Sequence, residues 1–523
     1  MITRFSAKYY AIILLSLILL LGIFLRTYKL ANDPAGFFCD EASIGYNAYS
    51  ILHTGKDEYG VSFPFFFKAF GEYKNPVEIY STVPFIALFG LHEWSTRIPS
   101  AIYGTLGLVA IYLLTGILYK KSKYKKLYGL SAALLLAISP WDIQFSRVAL
   151  EGLMAYVFFA ILGTYFFLRK EEKTRYLFLS ASMFLLGLYS YFPGRIFIPL
   201  YVFLLFLLEY KFFWQKKILF CAIVSIFLIG SLPLFSAVLD KTGLARFQQV
   251  SIFNQPPANE SVLQHIAFNY YTNLSPDFLF FKGDIGMPGE FISRHSIKGM
   301  GELYLWQLPF IVLSFIFLII KRQWKIMSVL IAWILLYPTG NMLTTDESAE
   351  ATRAIIGVVP WQILTTIGIF YLIDFSKLKI IKIFLILSFV SVILFSFLQY
   401  TQQYFLVYPT YSADYWGWQY GFRQTVSLFT SQHNTYDDLL ITHRFNHGEE
   451  LLKFYNVTFQ CPNCAVMHNP IIIDTTRNQL FALRQEDIDQ AKQLYPTLRF
   501  VPKTTILQPN NIPVLFIGTF TNN

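Results

Sequence analysis

Long apolar stretches, broken by short polar gaps, fill the first 400 residues of the chain. The first reads AIILLSLILLLGIFL from Ala11 to Leu25, close to the ~20 apolar residues that carry a helix across a bilayer. Stretches of this kind predict about eleven membrane-spanning helices. They fall near 9–26, 98–119, 127–140, 151–168, 176–192, 195–210, 217–238, 304–320, 325–341, 354–373 and 381–400. The first continues into Arg26 without a small-x-small cleavage pattern, so it reads as a retained span and not as a signal peptide. VEIYSTVPFIALFG (77–90) is apolar but short, holds Pro84, and is followed at once by HEWSTR. It reads as a helix at the membrane interface. After Tyr400 the pattern changes. DDLLITH (437–443), PIIIDTT (470–476), RFVPKTTIL (499–507) and PVLFIGTF (513–520) predict strands, and YWGWQYGFRQTVSLF (415–429) and QEDIDQAKQLY (485–495) predict helices. The expected architecture is mainly α: a polytopic membrane domain over 1–400 and a small α/β domain over 401–523.

The polar gaps set the orientation. Lys and Arg gather in KKSKYKK (120–126), RKEEKTR (169–175), KFFWQKK (211–217), KRQWK (321–325) and KLKIIK (377–382), with Arg4 and Lys8 near the start. Such segments face the cytoplasm. The alternating trace then leaves two large outer loops at about 27–97 and 239–303, and shorter outer turns at SPWDIQFSR (139–147), YSYFPGR (189–195) and GNMLTTDESAEATR (340–353). The expected location is the cytoplasmic (inner) membrane, with the C-terminal domain outside. Composition agrees: 55% of residues are hydrophobic and 14% charged, against ~25% charged in soluble proteins. The net charge of +10 is divided among separate loops. A nucleic-acid partner would need one contiguous patch, so membrane lipids are expected as partners and nucleic acid is not.

Chemistry enters with FFCDEASIG (37–45), where Asp40 and Glu41 stand just beyond the first span. Ile44, Ala48, Ile51 and Leu52 follow at helical spacing. Asp40 can cap that helix and favour its dipole. The same placement suits a general base fixed near the lipid boundary. Adjacent helical positions do not face the same way, so one acid is expected to act and the other to support. The outer loops each add a cation: Lys74, Arg97, Arg147, Arg195, Arg294 and Arg353. Any one of them can pair with a headgroup or a nearby acid. Together, on one side of the membrane, they suit a phosphate or pyrophosphate. The four cysteines are too few for a disulfide scaffold. His443, His447, Cys461, Cys464 and His468 offer zinc ligands at a spacing that fits no common site. A local disulfide or two free thiols at Cys461 and Cys464 are the competing readings.

In chain order, a first span, Asp40–Glu41, GEYKNPVEIY (71–80), FGLHEWSTRIPSAIYG (89–104), SPWDIQFSRVALEG (139–152), LSPDFLFFKGD (274–284) and RHSIKGMGELY (294–304) resemble GT-C glycosyltransferases of the protein O-mannosyltransferase and aminoarabinose-transferase type. The resemblance covers about 27–360. It implies the GT-C fold and an enzyme that takes a sugar from a polyprenyl-phosphate donor at the outer face. It makes Asp40 the base on an acceptor hydroxyl, Glu41 the second acid and Lys74 the lysine of a Lys–Pro element. That element reads Lys-Asn-Pro here with Tyr73 before it, and Glu72 is a candidate substitute for an acid at that place. Lys74, Arg147, Arg294, His295 and Arg353 are expected on the donor phosphate, with Arg97 and Arg195 as further candidates. No obligatory metal or cofactor is expected, because Lys and Arg can stabilise a departing monophosphate. The acceptor can be protein, lipid or glycan. Two other readings are a ligase of whole lipid-linked glycans and a transporter or flippase. The latter calls for polar residues at mid-membrane and internal repeats. The aromatic run DYWGWQY (414–420) suits either sugar stacking or an apolar cluster.

Overall fold

The computed structural model describes residues 2–239, 245–256, 260–284, 294–345, 349–376, 378–414 and 417–522, with backbone alone for 2–8 and 245–246. Each apolar stretch read as a span is helical, beginning with α1 (Ile2–Thr27). The first loop then folds into α2 (Cys39–Thr54), the hairpin β1 (Phe67–Ala69) and β2 (Glu72–Lys74), and α3 (Pro76–Phe89), before α4 (Glu93–Leu118). α4 starts earlier than expected because Ser95 Oγ accepts the His92 amide at 3.0 Å and so closes its first turn. Among the described residues, Tyr9–Thr27, Glu93–Leu118, Ala351–Phe375 and Lys379–Ser412 are long and apolar enough to cross a membrane. The pair Lys217–Gly230 and Leu232–Leu239, bent by 43°, adds a fifth. Others, including Leu153–Leu168, Gly194–Leu208 and α3 itself, are apolar but shorter. The expected helices are therefore present, whereas their lengths do not establish eleven crossings.

The loops sort into two ends. Glu209 binds Lys170 at 3.2 Å and Lys325 at 2.5 Å, which ties three of the basic segments together. The acid-bearing first loop lies with the turns at 147–151, 190–195 and 340–353 around one cavity. Two wholly buried indoles fix that end. Trp141 donates to the Ala351 carbonyl and Trp333 to the Ile356 carbonyl, each at 2.9 Å. They anchor the turn that carries Arg353. Buried Arg26, at the end of α1, pairs with buried Asp142 of the helix Pro140–Ser146.

The C-terminal region is a mixed five-stranded sheet in the order β4-β3-β5-β7-β6. Its strands are β3 (Asp438–Ile441), β4 (Cys464–Val466), β5 (Gln479–Leu483), β6 (Leu498–Leu507) and β7 (Pro513–Asn522). β3 runs parallel to β4 and β5, and β7 is antiparallel to β5 and β6. Three expected strands and the helix Gln485–Leu494 are present. PIIIDTT is not a strand. Asp474 instead accepts the Thr476 amide at 2.9 Å, and Gln479 Oε1 accepts the Asp474 amide at 2.9 Å. Side chains satisfy a backbone that a ladder would otherwise have paired, and QLFAL just beyond becomes the central strand. The helix expected over 415–429 runs from Phe422 to Thr430, while Tyr415 and Trp416 lie outside the described residues.

This sheet region is not a loose appendage. Phe37 packs on Phe454 of the helix Gly448–Phe459 at 4.7 Å between ring centroids. Lys453 pairs with Glu58 at 2.7 Å, Arg423 pairs with Glu93 at 2.8 Å, and Tyr455 donates to Glu93 at 2.7 Å. The two backbones also meet closely at Gly36, which has φ of +108°. A Cβ there would sit 2.1 Å from the Trp418 carbonyl oxygen. Gly60 has φ of +85° but nothing within 4 Å of such a Cβ. Gly36→Ala is therefore expected to destabilise the protein by about 2–4 kcal/mol, through overpacking against backbone added to the left-handed penalty. Gly60→Ala bears only the ~1 kcal/mol conformational term. Thermal unfolding of both variants in detergent measures the difference.

Candidate active site

α2 begins at Cys39, so Asp40 and Glu41 occupy its first turn. Glu41 rather than Asp40 makes the side-chain cap, since its Oε2 accepts the Phe38 amide at 3.1 Å. The two acids then part, as helical geometry requires. Asp40 faces a cavity of about 130 Å³ at the loop end of the bundle. Glu41 is wholly buried and does not line it. Its oxygens accept from Arg97 Nε and Nη2 at 2.8 Å each and from the Ala149 amide at 3.0 Å. Arg97 in turn donates to the carbonyls of Leu30 at 3.0 Å, Pro34 at 3.4 Å and Gly36 at 2.7 Å.

Lys74 closes the β1–β2 hairpin and meets Asp40, with Nζ donating to Oδ1 at 2.5 Å. The hairpin turn passes through Phe70 and Gly71 at φ of +53° and +77°. Both central residues are left-handed, as a two-residue turn demands, and the Phe70 ring lies 4.9 Å from Lys74 Nζ. Burial works against the Lys74 charge, but Asp40, with Glu151 and Glu72 behind it, outweighs burial and holds the ammonium protonated above its ordinary range. Glu72, two positions along the same strand, is buried on the same face as Lys74.

Three of the expected phosphate-binding residues line the cavity: Arg294, His295 and Arg353. The Arg294 guanidinium lies 3.9 Å over the Phe38 ring. His295 Nδ1 is 3.1 Å from Asp284 Oδ2. Asp284 also accepts the Ala351 amide at 3.0 Å, which joins the two loops. Arg353 donates to Thr344 Oγ1 at 2.9 Å and to Asn341 Oδ1 at 3.1 Å, and pairs with Glu350 at 3.1 Å. Burial pushes the Glu350 carboxyl up, but Arg353 and His295 outweigh it and keep it ionised.

The structure does not bring the other cations to the cavity wall. Arg147 is buried and donates to the carbonyls of Leu25 at 2.6 Å, Tyr28 at 2.7 Å and Asp33 at 2.9 Å. It fastens the first loop to the end of α1. Arg97 is spent on Glu41 and the loop carbonyls. Arg195 donates to Asn75 at 2.7 Å and lies between the Phe66 and Phe192 rings, next to the cavity but outside its lining. Two lining acids were not singled out from the sequence, Glu151 and Glu350. Glu151 has φ of +48° before Gly152 at +78°. A non-glycine residue keeps such a conformation only where its surroundings enforce it. Gly152 is visible in the sequence, but the backbone angle of Glu151 is not. In the sheet region, Cys461 and Cys464 form a disulfide. Among the described residues, no group of three or more His, Cys, Asp or Glu is placed to hold a metal.

Residues 74–236 match the family model described as dolichyl-phosphate-mannose-protein mannosyltransferase. That match begins at Lys74 and leaves Asp40 outside. No curated protein matches the chain. Among solved structures, ArnT from Cupriavidus metallidurans bound to undecaprenyl phosphate aligns with TM-score 0.52 and 11% identity, covering 97% of both chains. The apo oligosaccharyltransferase of Archaeoglobus fulgidus aligns with TM-score 0.53 and 14% identity, over 88% of this chain and 65% of that one. Archaeal AglB from the same organism, in complex with an inhibitory peptide and a dolichol-phosphate, aligns with TM-score 0.52 and 13% identity, over 88% and 64%. This chain thus spans just under two thirds of the archaeal enzyme's length. The likeness to PMT-like GT-C glycosyltransferases read from the sequence holds in both the family model and the fold.

The Glu41–Arg97 pair has no access to water, so removing one partner strands the other. Glu41→Gln is expected to cost about 3–5 kcal/mol, read as a large fall in thermal midpoint and in the yield of folded protein in detergent.

Proposed function

We propose that the chain is an integral-membrane glycosyltransferase. It moves a sugar from a polyprenyl-phosphate donor to a hydroxyl acceptor at the extracytoplasmic face. The observation that carries the reading is the convergence of the Asp40 carboxylate and two guanidinium groups, Arg294 and Arg353, on one cavity at the loop end of the helices, where Glu151 and Glu350 also stand. A lipid-linked sugar phosphate is confined to the bilayer, so its reacting carbon lies at headgroup depth. The matched ArnT structure is bound to undecaprenyl phosphate, which agrees with a donor of that class.

The reaction is a single displacement. The acceptor hydroxyl gives its proton to Asp40 as its oxygen bonds to the anomeric carbon. The bond from that carbon to the phosphate oxygen breaks, and polyprenyl phosphate leaves. Arg294 and Arg353, already held by Phe38 and by Thr344 with Asn341, meet the charge that develops on the phosphate. Cations fixed in advance need no reorganisation at the moment of transfer. They supply the electrostatic role without an obligatory metal. Lys74 holds one Asp40 oxygen and so aims the carboxylate. Glu41 acts indirectly, by fixing the turn from which Asp40 projects. His295, oriented by Asp284, stands beside Glu350 and Arg353 on the donor side.

A positioned base contributes ~10²–10⁴-fold. Asp40→Asn is therefore expected to fold normally and to lose at least ~10²-fold in transfer. The assay uses membranes supplied with a panel of radiolabelled polyprenyl-phosphate sugars, and the labelled product names the acceptor. Unchanged turnover in that variant removes Asp40 from the mechanism. Arg353→Gln is expected to weaken binding of polyprenyl phosphate about 10-fold or more, the worth of one charge-assisted hydrogen bond. Equilibrium binding of the labelled lipid to purified protein measures it.

A further inference from the structure

Two consecutive residues of HRFNH, Asn446 and His447, reach the two halves of the Asp40–Lys74 pair by separate routes. The first runs through Gln419. Its side chain is buried, and its backbone has φ of +55°. Its Oε1 accepts the Cys39 amide at 2.7 Å, and its Nε2 donates to the Asn446 carbonyl at 2.6 Å. Cys39 opens α2, and Asp40 is the next residue. The amide of Cys39 is one that a helix start leaves unpaired. Here a side chain 380 positions away in the chain satisfies it.

The second route runs through His447. Its backbone is also left-handed, at φ of +48°. Its ring lies on the Phe70 ring, 4.1 Å between centroids. The same Phe70, itself at φ of +53°, faces Lys74 Nζ. Three non-glycine residues in left-handed conformation thus meet around the pair, and strain of this kind persists only where surroundings enforce it. Burial, opposed by Asp40 and helped by Lys74, lowers the affinity of His447 for a proton. At neutral pH the imidazole therefore acts as a packed ring and not as a cation.

We propose that the sheet region is part of the catalytic device: Gln419 is a positioning residue that sets Asp40 through the first amide of its helix, and His447 steadies Lys74 through Phe70. The proposal rests on the reading of Asp40 as the base. It gives the sheet a task in catalysis, since the first turn that carries Asp40 is held through Glu41 from α4 and through Cys39 from the sheet side. A purely structural tether would spread its loss over folding and substrate affinity alike. A positioning contact shows in the chemical step.

The test compares Gln419→Met, which keeps side-chain length and removes both hydrogen bonds, with His447→Ala and the ring-preserving His447→Phe. Full-length protein is used in each case. Transfer from a radiolabelled polyprenyl-phosphate sugar, binding of polyprenyl phosphate, and hydrogen exchange of the segment 37–42 are measured. Gln419→Met is expected to lower kcat about 10–100-fold, leave donor KM and lipid binding within about 2-fold, and speed exchange of the Cys39 amide about 10-fold, as befits loss of one buried hydrogen bond. His447→Ala is expected to lower kcat in the same way, and His447→Phe to restore it. Unchanged kcat and exchange in Gln419→Met overturn the proposal, as does a rise in KM alone. If Gln419→Met does not fold, the His447 pair decides: equal activity of Ala and Phe overturns it. If the wild type transfers no sugar, the glycosyltransferase reading fails, while faster exchange in Gln419→Met still supports the link from Gln419 to the helix of Asp40.

Discussion

The buried ion pair between Glu41 and Arg97 is the constraint on which the site depends. Two charges out of water are tolerated only when every lone pair and proton finds a partner. Here the partners are not spare groups but the loop itself. Glu41 takes the amides of Phe38 and Ala149, and Arg97 takes the carbonyls of Leu30, Pro34 and Gly36. The chain from the end of α1 to the start of α2 can satisfy those bonds in one path. That path leaves Asp40 on the cavity side of its helix. The adjacent acids thus divide labour: one charge organises backbone, and the other is presented.

The same division runs through the arginines. Arg147 is surrounded by three carbonyls and two aromatic rings, from Tyr404 and Phe405. Both of its terminal nitrogens are directed at backbone, so it serves the loop and not the cavity. Arg294 and Arg353 are held as firmly but at the cavity wall, by a ring face and by neutral oxygens with one carboxylate. Glu151 and Glu350 keep that wall from being uniformly positive. The result is a cavity whose charged groups of both signs are set among apolar side chains such as Leu150, Ile196 and Leu343.

The sheet region belongs to this arrangement. Its helix Gly448–Phe459 lies on α2, its Trp418 carbonyl rests against Gly36, and its Arg423 and Tyr455 both hold Glu93 at the start of α4. A region that composition alone separates from the membrane part is joined to it through the first loop.

Apolar periodicity was enough to place a helix at each of the eleven long stretches, though not Pro140–Ser146 in a segment read as a turn, because burying a 3.6-residue stripe, or exposing it to lipid, is a local demand on the sequence. It also announced β6, β7 and the helix Gln485–Leu494. It failed at PIIIDTT, where Asp474 and Gln479 satisfied the backbone from the side, and it overlooked Gly448–Phe459, although Leu451, Phe454 and Tyr455 repeat at helical spacing. The acid pair and the set of cations were legible as residue types at loop positions. Which of them face the cavity was not. Asp40 and Glu41 look alike in one dimension, as do Arg147 and Arg353. Glu41 and Arg147 are drawn to distant amides and carbonyls, 108 and up to 122 positions away, and those partners are brought near only by the folded chain.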